Sequence, residues 1–336
     1  MEARFVLVGS GKMAADVLGL LAREPGAEPV LCVGDARREV AQSRLEQAAG
    51  AAGVPYLDAP NLNDPPILAA MRAARPTYIV SVNNFRILGE DCLAIPQRGA
   101  INFHDGPLPR YGGVHPCSWA ILRGEETHGV TWHVVERGLD TGPILAQSHF
   151  PIRRGERVIS LISRCIHEGT RLFEALLPAL VADEARPVPQ QGEPLYFGRH
   201  DLPWEGSLPW WESRDVLGRL SRAIGFHPFP NTFYRPRLRV DGFPDLYASG
   251  FELVAGAGPR GTVLAGGAEP IIATPDAAIR LDEIEDGESR VVYDPAAWGL
   301  KAGARLCGPS ADAAAILATG SRSSSSIHGV LSSITL

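Results

Sequence analysis

The sequence predicts an α/β protein with a mostly parallel sheet and helices on both faces, followed by a smaller, barrel-like β domain. Three observations lead to this prediction. Apolar strand-like runs alternate with helical patterns over the first half of the chain, which is typical of strand–helix–strand units. A break rich in proline and glycine follows at 187–194. After the break, short strand-like runs are separated by glycine and proline, which favours a small barrel.

The first domain is predicted to begin with a strand, a tight glycine turn and a helix. These occupy Phe5–Val8, Gly9–Gly11 and Met13–Ala22. Further strands are predicted at 29–33, 78–82, 99–103, 130–135 and 144–150, and further helices at 38–52, 67–74 and 158–182. The strands at 29–33 and 78–82 are almost continuously apolar, which indicates burial on both faces of the sheet.

The second half of the chain has weaker patterns of secondary structure. A short helix is predicted at 216–223, and strand-like runs follow at 251–254, 261–264, 270–274 and 278–281. The predicted organisation is a first domain at 1–186, a linker at 187–205, a barrel-like domain at 206–310 and a flexible serine-rich tail at 311–336. The sequence does not decide whether that tail connects to further domains, nor the oligomeric state.

Composition restricts the class of protein. The chain has 336 residues, 45% hydrophobic and 21% charged, which fits a soluble globular protein of two domains. Five scattered cysteines predict neither disulfides nor a metal cluster, and therefore a reducing cytoplasm. The formal net charge of −6 argues mildly against a nucleic-acid partner. No apolar run approaches the length of a membrane span.

One motif suggests a nicotinamide-dependent oxidoreductase. Gly9, Gly11 and Ala14 fit the dinucleotide fingerprint, and Asp35 follows at the end of the next strand. That hypothesis predicts tight NAD(P) binding. However, no catalytic set for hydride transfer is evident downstream. A tight glycine turn at the start of an α/β sheet is the favoured interpretation.

A second group of residues suggests acyl transfer. Asn102 and His104 lie two residues apart on a predicted strand, so their side chains share a face, and Asp140 lies in the loop Gly138–Gly142. An amide donor, an imidazole and a carboxylate can polarise a carbonyl and move a proton. Asp140 is equally consistent with a turn-capping aspartate. Asp105, His115, His128 and His133 lie nearby and remain alternatives.

These motifs resemble those of the folate-dependent formyltransferases. The family signature is Asn-x-His, a Leu-Pro-x-Tyr loop and Leu-Asp-x-Gly, and the segment 100–147 contains all three. The segments 196–199 and 222–230 resemble the family's junction with its C-terminal domain. The resemblance implies a Rossmann-like domain followed by an OB-like barrel, with 10-formyltetrahydrofolate as co-substrate and no metal. Asn102, His104 and Asp140 match the family's catalytic residues.

The resemblance also implies binding residues. The pteridine-binding candidates are Phe85, Arg86, Ile87, Leu88, Glu136, Gly138 and Leu139. The substrate loop would consist of Gly106, Leu108, Pro109, Arg110, Tyr111 and Gly112. For Phe85, Ile87 and Leu88, packing in the core is an equally good explanation.

The predicted function is transfer of a formyl group to a primary amine. The segment 127–133 resembles the formylation units of nonribosomal peptide assembly lines, and 282–288 is acidic. An aminoacyl group on a carrier protein is therefore the first choice of acceptor. An amino-sugar nucleotide and methionyl-tRNA are alternatives, with tRNA considered unlikely and no membrane partner expected. A folate hydrolase using water as acceptor, or a binder without turnover, also stays open.

Overall fold

The computed structural model describes residues 2–35 and 44–308. The chain divides into two compact units. The first comprises Met1–Gly113, Thr127–Pro151 and Ile162–Leu195, and the second comprises Val114–Glu126, Ile152–Leu161 and Tyr196–Leu336. The predicted tail at 311–336 and the first part of the helix predicted at 38–52 lie outside the described residues.

The first unit is built on a sheet of seven strands within the described residues. The strands of this unit are β1 (Ala3–Gly9), β2 (Ala27–Gly34), β3 (Tyr56–Asp58), β4 (Tyr78–Val82), β5 (Gly99–His104), β6 (Gly112–Gly113), β7 (Thr127–Val134) and β8 (Ile144–Pro151). The sheet order is β3-β2-β1-β4-β5-β7-β8. The first five strands in this order are parallel, whereas β5 with β7 and β7 with β8 are antiparallel.

Helices cover both faces of this sheet. The α-helices of the described residues are α1 (Gly11–Arg23), α2 (Arg44–Ala52), α3 (Pro65–Ala74), α4 (Glu90–Leu93), α5 (Pro116–Arg123), α6 (Val158–Val181) and α7 (Arg214–Ala223). Successive strand residues point to opposite faces. Phe5 and Leu7 therefore pack in the core formed with α1, α2 and α6, while Val6 and Val8 pack in the core formed with α3 and α4.

The second unit contains α5, α7 and several short strands. These strands are β9 (Tyr196–Phe197), β10 (Arg237–Leu238), β11 (Leu246–Ala248), β12 (Phe251–Val254), β13 (Val263–Ala265), β14 (Ile271–Ala273), β15 (Ala278–Leu281) and β16 (Ile284–Glu285). Strands β10 to β16 form two antiparallel sheets, of order β10-β11-β16 and β12-β15-β14-β13. Helix α7 begins after Ser213, whose hydroxyl oxygen accepts a hydrogen bond from the Val216 amide at 3.4 Å.

The predicted fold class is confirmed: a mostly parallel α/β sheet is followed by an antiparallel β region. The strand at 56–58 and the helices α4 and α5 were not predicted. The reversed direction of β7 and β8 was not predicted either, because it depends on pairing with β5 and not on local pattern. None of the helices in the described part of the chain is both long enough and apolar enough to cross a membrane.

Candidate active site

Strands β5 and β7 bring an amide and an imidazole together. Asn102 is paired in register with His133, and His104 with Thr131. The Asn102 Nδ2 atom lies 3.2 Å from the His133 Nε2 atom. This contact follows from the antiparallel pairing, since directly opposed residues of two strands place their side chains on the same face.

Asp140 lies in the loop between β7 and β8 and has left-handed backbone geometry, with φ of +55°. Such a conformation is uncommon for residues other than glycine, although aspartate and asparagine tolerate it. Two contacts hold it: the Gly113 amide donates to Asp140 Oδ2 at 2.8 Å, and Gln190 Nε2 donates to the Asp140 carbonyl at 2.7 Å. Gly142 is also required, because a Cβ there would lie 1.9 Å from the Val134 carbonyl oxygen.

The Asp140 carboxylate lies between two imidazoles. Its Oδ2 atom is 3.7 Å from His104 Nδ1, and its Oδ1 atom is 3.6 Å from His133 Nε2. Both distances exceed a hydrogen bond. The histidines are 5% and 2% exposed, whereas the Asp140 side chain is 17% exposed. The structure thus brings Asn102, His104 and Asp140 together, and adds His133.

The hydrogen bonds of His133 define its protonation. Its Nδ1 atom lies 2.9 Å from the Val134 carbonyl oxygen. Because a carbonyl can only accept, Nδ1 carries the proton. Burial lowers the pKa of His133, while Asp140 raises it and His104 lowers it further, and the net direction is downward. The neutral ring therefore presents an unprotonated Nε2 to Asn102.

His104 is oriented by the loop that follows β5. Its Nε2 atom donates to the Tyr111 carbonyl oxygen at 2.7 Å, which leaves Nδ1 for reacting groups. Gly106 leaves space for this ring, because a Cβ at that position would lie 2.7 Å from His104 Nε2 and 2.9 Å from the Tyr111 carbonyl oxygen. A side chain there would displace the imidazole or the loop.

A buried hydroxyl anchors the start of that loop. The Thr131 hydroxyl donates to the Gly106 carbonyl at 2.7 Å and accepts from the Leu108 amide at 3.2 Å. Gln147 Nε2 donates to the Leu108 carbonyl at 2.8 Å and to the Thr131 hydroxyl at 2.9 Å. The Leu108–Pro109 peptide bond is cis. Of the other loop residues, Arg110 lies over the Tyr111 ring, and the Gly112 amide donates to the Leu195 carbonyl.

The predicted pteridine-binding residues fall into two groups. Phe85, Ile87 and Leu139 expose 57%, 59% and 49% of their surface, so core packing does not explain them. Leu88 is half-buried against the core beside α3 and α4, which fits its structural interpretation. Glu136 is exposed and Gly138 is packed closely against Thr141.

Arg86 is engaged with the protein itself. Its guanidinium donates to the Gly34 carbonyl at 2.6 Å and to the Ala59 carbonyl, and its Nε donates to Asn84 Oδ1 at 3.0 Å. These bonds tie the loop that follows β4 to the last residue of β2 and to the residue after β3. Sequence reasoning could not foresee this, because the acceptors are backbone atoms of distant segments.

The glycine turn after β1 is a close strand–helix turn. A Cβ at Gly9 would lie 2.1 Å from the Val82 carbonyl oxygen, and Gly11 has φ of +72°. The Ser10 hydroxyl donates to the Asn83 carbonyl at 3.0 Å. Asp35 is buried. The local geometry agrees with the favoured interpretation of the motif as a structural turn.

The remaining candidate residues from the sequence are Asp105, His115 and His128. His128 Nε2 donates to the Asp105 carbonyl at 2.9 Å, and His115 directly precedes α5 in the second unit.

Gln190, which contacts the Asp140 loop, was not predicted as part of the site, since it falls in the segment predicted as a linker. It also donates to the Gly142 carbonyl at 2.8 Å, and no local sequence signal marks such a contact.

An amide nitrogen, an imidazole and a carboxylate arranged in this way can stabilise charge on a carbonyl oxygen and accept a proton from an attacking group. Together with the α/β sheet, they define a group-transfer enzyme of the kind that works on carbonyl compounds.

Comparison with known proteins identifies the family. The model of the family described as "Formyl transferase" matches residues 4–177. The chain is 32% identical over 249 residues to a methionyl-tRNA formyltransferase of Myxococcus xanthus, covering 74% of this chain and 78% of that protein. It is also 32% identical over 276 residues to the Thermus thermophilus enzyme of the same name, covering 79% and 85%.

A solved structure has the same fold. An N-formyltransferase from Helicobacter canadensis, in complex with folinic acid and dTDP-3-aminofucose, aligns with a TM-score of 0.59 and 17% identity, covering 83% of this chain and 99% of that one. The chain belongs to the formyl transferase family and is a formyltransferase. The oxidoreductase alternative has no support from these relatives.

Proposed function

We propose that this formyltransferase moves the formyl group of 10-formyltetrahydrofolate to a primary amine, with Asn102, His104 and Asp140 as its catalytic residues. The observation that carries the proposal is that the Asp140 carboxylate lies between His104 and His133, with Asn102 against His133. The predicted pteridine-binding residues lie in the loop after β4 and just before Asp140. Strand ends of an open α/β sheet are where ligands bind in this class of fold.

The amine nitrogen attacks the formyl carbon, and negative charge grows on the formyl oxygen. Asn102 Nδ2 donates to that oxygen, where preorganised donors have their greatest effect. Because His104 Nε2 already donates to the Tyr111 carbonyl, His104 Nδ1 donates to the same oxygen when the ring is an imidazolium, with protons on both nitrogens. Asp140 accepts the proton that the attacking amine loses. The bond between the formyl carbon and N10 then breaks, N10 takes a proton, and the products are a formamide and tetrahydrofolate.

Phe85, Ile87 and Leu139 are proposed to form an apolar wall for the pteridine. Exposed apolar side chains of this size on neighbouring loops are typical of a ligand-binding surface. Because these side chains are largely exposed, removing them costs little stability in the free protein. The main effect of removing them must therefore be a loss of affinity for the co-substrate.

The double variant Phe85→Ser/Ile87→Ser is expected to raise KM for 10-formyltetrahydrofolate roughly tenfold or more, since each apolar side chain buried against a ligand contributes about 1 kcal/mol or more. Steady-state kinetics and a thermal melt measure this, and Tm should hardly change. Tyr293→Ser removes another exposed aromatic and serves as the control. An unchanged KM in the double variant contradicts the proposed wall.

The acceptor is proposed to be an aminoacyl-tRNA, because the relatives at 32% identity are named methionyl-tRNA formyltransferases. The sequence-based expectation that tRNA is unlikely has no support from them, and none of the relatives reported above is named for a carrier protein. One observation counts against a surface that binds tRNA and leaves an amino-sugar nucleotide as second candidate. Arginines on either side of β10 are paired with acids, Arg239 with Asp245 at 3.2 Å and Arg235 with Glu285. Paired cations contribute less to the binding of a polyanion.

The test is release of tetrahydrofolate from 10-formyltetrahydrofolate with four additions: methionyl-tRNA, a dTDP-linked amino sugar, an aminoacyl carrier protein, or no amine. Release that requires methionyl-tRNA supports the first acceptor, and release that requires the amino sugar supports the second. Release only with the carrier protein establishes formyl transfer but overturns both proposed acceptors. Equal release without amine indicates a hydrolase, and no release under any condition contradicts the proposed function.

A further inference from the structure

His133 lies beside the proposed catalytic residues but has no place in the chemistry described so far. It is 2% exposed and lies on the face of the sheet that carries Asn102. A buried histidine is costly unless its ring nitrogens are satisfied. Both are: Nδ1 donates to the Val134 carbonyl, and Nε2 lies 3.2 Å from Asn102 Nδ2.

We propose that His133 is a positioning residue, whose Nε2 accepts a hydrogen bond from the Asn102 amide nitrogen and thereby sets which end of that amide is offered to the formyl oxygen. The inference rests on the proposed function and deepens it. His133 contacts Asn102 and not the reacting atoms.

The reasoning depends on the two ends of an asparagine amide, which have nearly the same shape but opposite hydrogen-bonding roles. If the Asn102 side chain were flipped, its oxygen would face the unprotonated Nε2 of His133, and two acceptors would repel each other. The same flipped oxygen could not stabilise negative charge on the formyl oxygen. The Val134 carbonyl therefore acts on Asn102 through His133. It keeps the ring proton on Nδ1, so that Nε2 remains an acceptor. The Asn102 amide nitrogen must then donate to Nε2.

Protonation of His133 would reverse this arrangement. An imidazolium donates from Nε2, and Asp140 Oδ1 lies 3.6 Å away as a competing acceptor. The charged or titratable groups facing the ring are Asp140 from the loop after β7 and His104 from β5. Because burial lowers the pKa of His133, this reversal occurs below the ordinary pKa of about 6.5, and the ring accepts at neutral pH.

The experiment is a double-mutant cycle between residues 102 and 133. Asn102→Ala alone is expected to lower kcat by about a hundred- to a thousand-fold, as for loss of one oxyanion donor. His133→Leu removes the acceptor at similar volume and is expected to lower kcat by about tenfold, with KM values for folate and amine little changed. In the Asn102→Ala background, His133→Leu should have no further effect, because residues acting through one another are not additive. A purely structural role would instead give independent losses.

His133→Gln tests the same point without removing the acceptor. A glutamine oxygen near the Nε2 position can accept from Asn102, so kcat should stay within about threefold of wild type. Glutamine does not titrate, so the acid limb of the kcat–pH profile should shift to lower pH than in wild type. His149→Leu, an exposed histidine on β8, controls for loss of a histidine from the sheet.

Three results would overturn the inference: additive losses in the double variant, a Gln variant with the wild-type pH profile, or a fully active His133→Leu variant. If His133→Leu does not fold, as judged by its thermal melt, the Gln variant and its pH profile still decide. An inactive wild-type protein would contradict the proposed function itself, whereas an active wild type with a fully active His133→Leu variant would contradict only this inference.

Discussion

Replacing Asp140 with asparagine is expected to lower kcat by about a hundred- to ten-thousand-fold, the usual range for loss of a general base. Asparagine is the informative substitution for two structural reasons. The residue has φ of +55°, which asparagine tolerates and alanine does not. Its side chain also accepts from the Gly113 amide at 2.8 Å, and an amide oxygen can do the same. The change therefore removes the charge and the basic oxygen while leaving the loop in place.

The measurement is acceptor-dependent release of tetrahydrofolate under saturating conditions, alongside a thermal melt. Asp183→Asn is the matched control, because Asp183 also has left-handed geometry, with φ of +61°, and pairs on the surface with Arg98 at 3.2 Å. It should keep wild-type kcat. If Asp140→Asn turned over at nearly the wild-type rate, the proposed role of Asp140 as base would be wrong.

The second large effect is expected for His104→Ala, with a loss of about a hundred- to a thousand-fold in kcat. The imidazole is 5% exposed and its Nε2 atom is committed to the Tyr111 carbonyl oxygen. The Nδ1 atom is thus the nitrogen available to the formyl oxygen, and it donates when the ring is an imidazolium. Because a donor of this kind acts mainly on charge that develops in the transition state, kcat should fall while KM for the folate changes little.

Some loss of stability accompanies this substitution, since the Tyr111 carbonyl loses its donor and a small cavity forms. A thermal melt and the KM for 10-formyltetrahydrofolate separate that loss from catalysis. His149→Ala, an exposed position on β8, is expected to leave both turnover and folding unchanged. Turnover of His104→Ala close to wild type, in a folded protein, would remove His104 from the catalytic set.

The results expected for the Asp140 and His104 variants are the same for every proposed acceptor. Both residues act on the amine and the formyl group, and not on the molecule that carries the amine. The acceptor is decided by surfaces that recognise that molecule. Paired arginines such as Arg235 and Arg239 are therefore relevant to which acceptor is recognised. The chemistry at Asp140 is the same for all the proposed acceptors.

The α/β class and most of its strands could be predicted from local pattern. Buried parallel strands have continuous apolar runs, and their turns need glycine, as at Gly9 beside the Val82 carbonyl oxygen. The shared face of Asn102 and His104 also followed from the two-residue period of a strand. These properties depend on residues that are neighbours along the chain, and they could therefore be predicted from the sequence.

The surroundings of the site depended on contacts between distant segments. Antiparallel pairing of β7 with β5 placed His133 opposite Asn102, and the left-handed Asp140 is held by Gln190 from a segment predicted as linker. Arg86, predicted to bind the folate, donates to the carbonyls of Gly34 and Ala59. The sequence by itself determined the fold class and the chemical identity of the proposed catalytic groups. Only the tertiary structure decided their partners, because strand direction and long-range hydrogen bonds are properties of the folded chain and leave no local pattern.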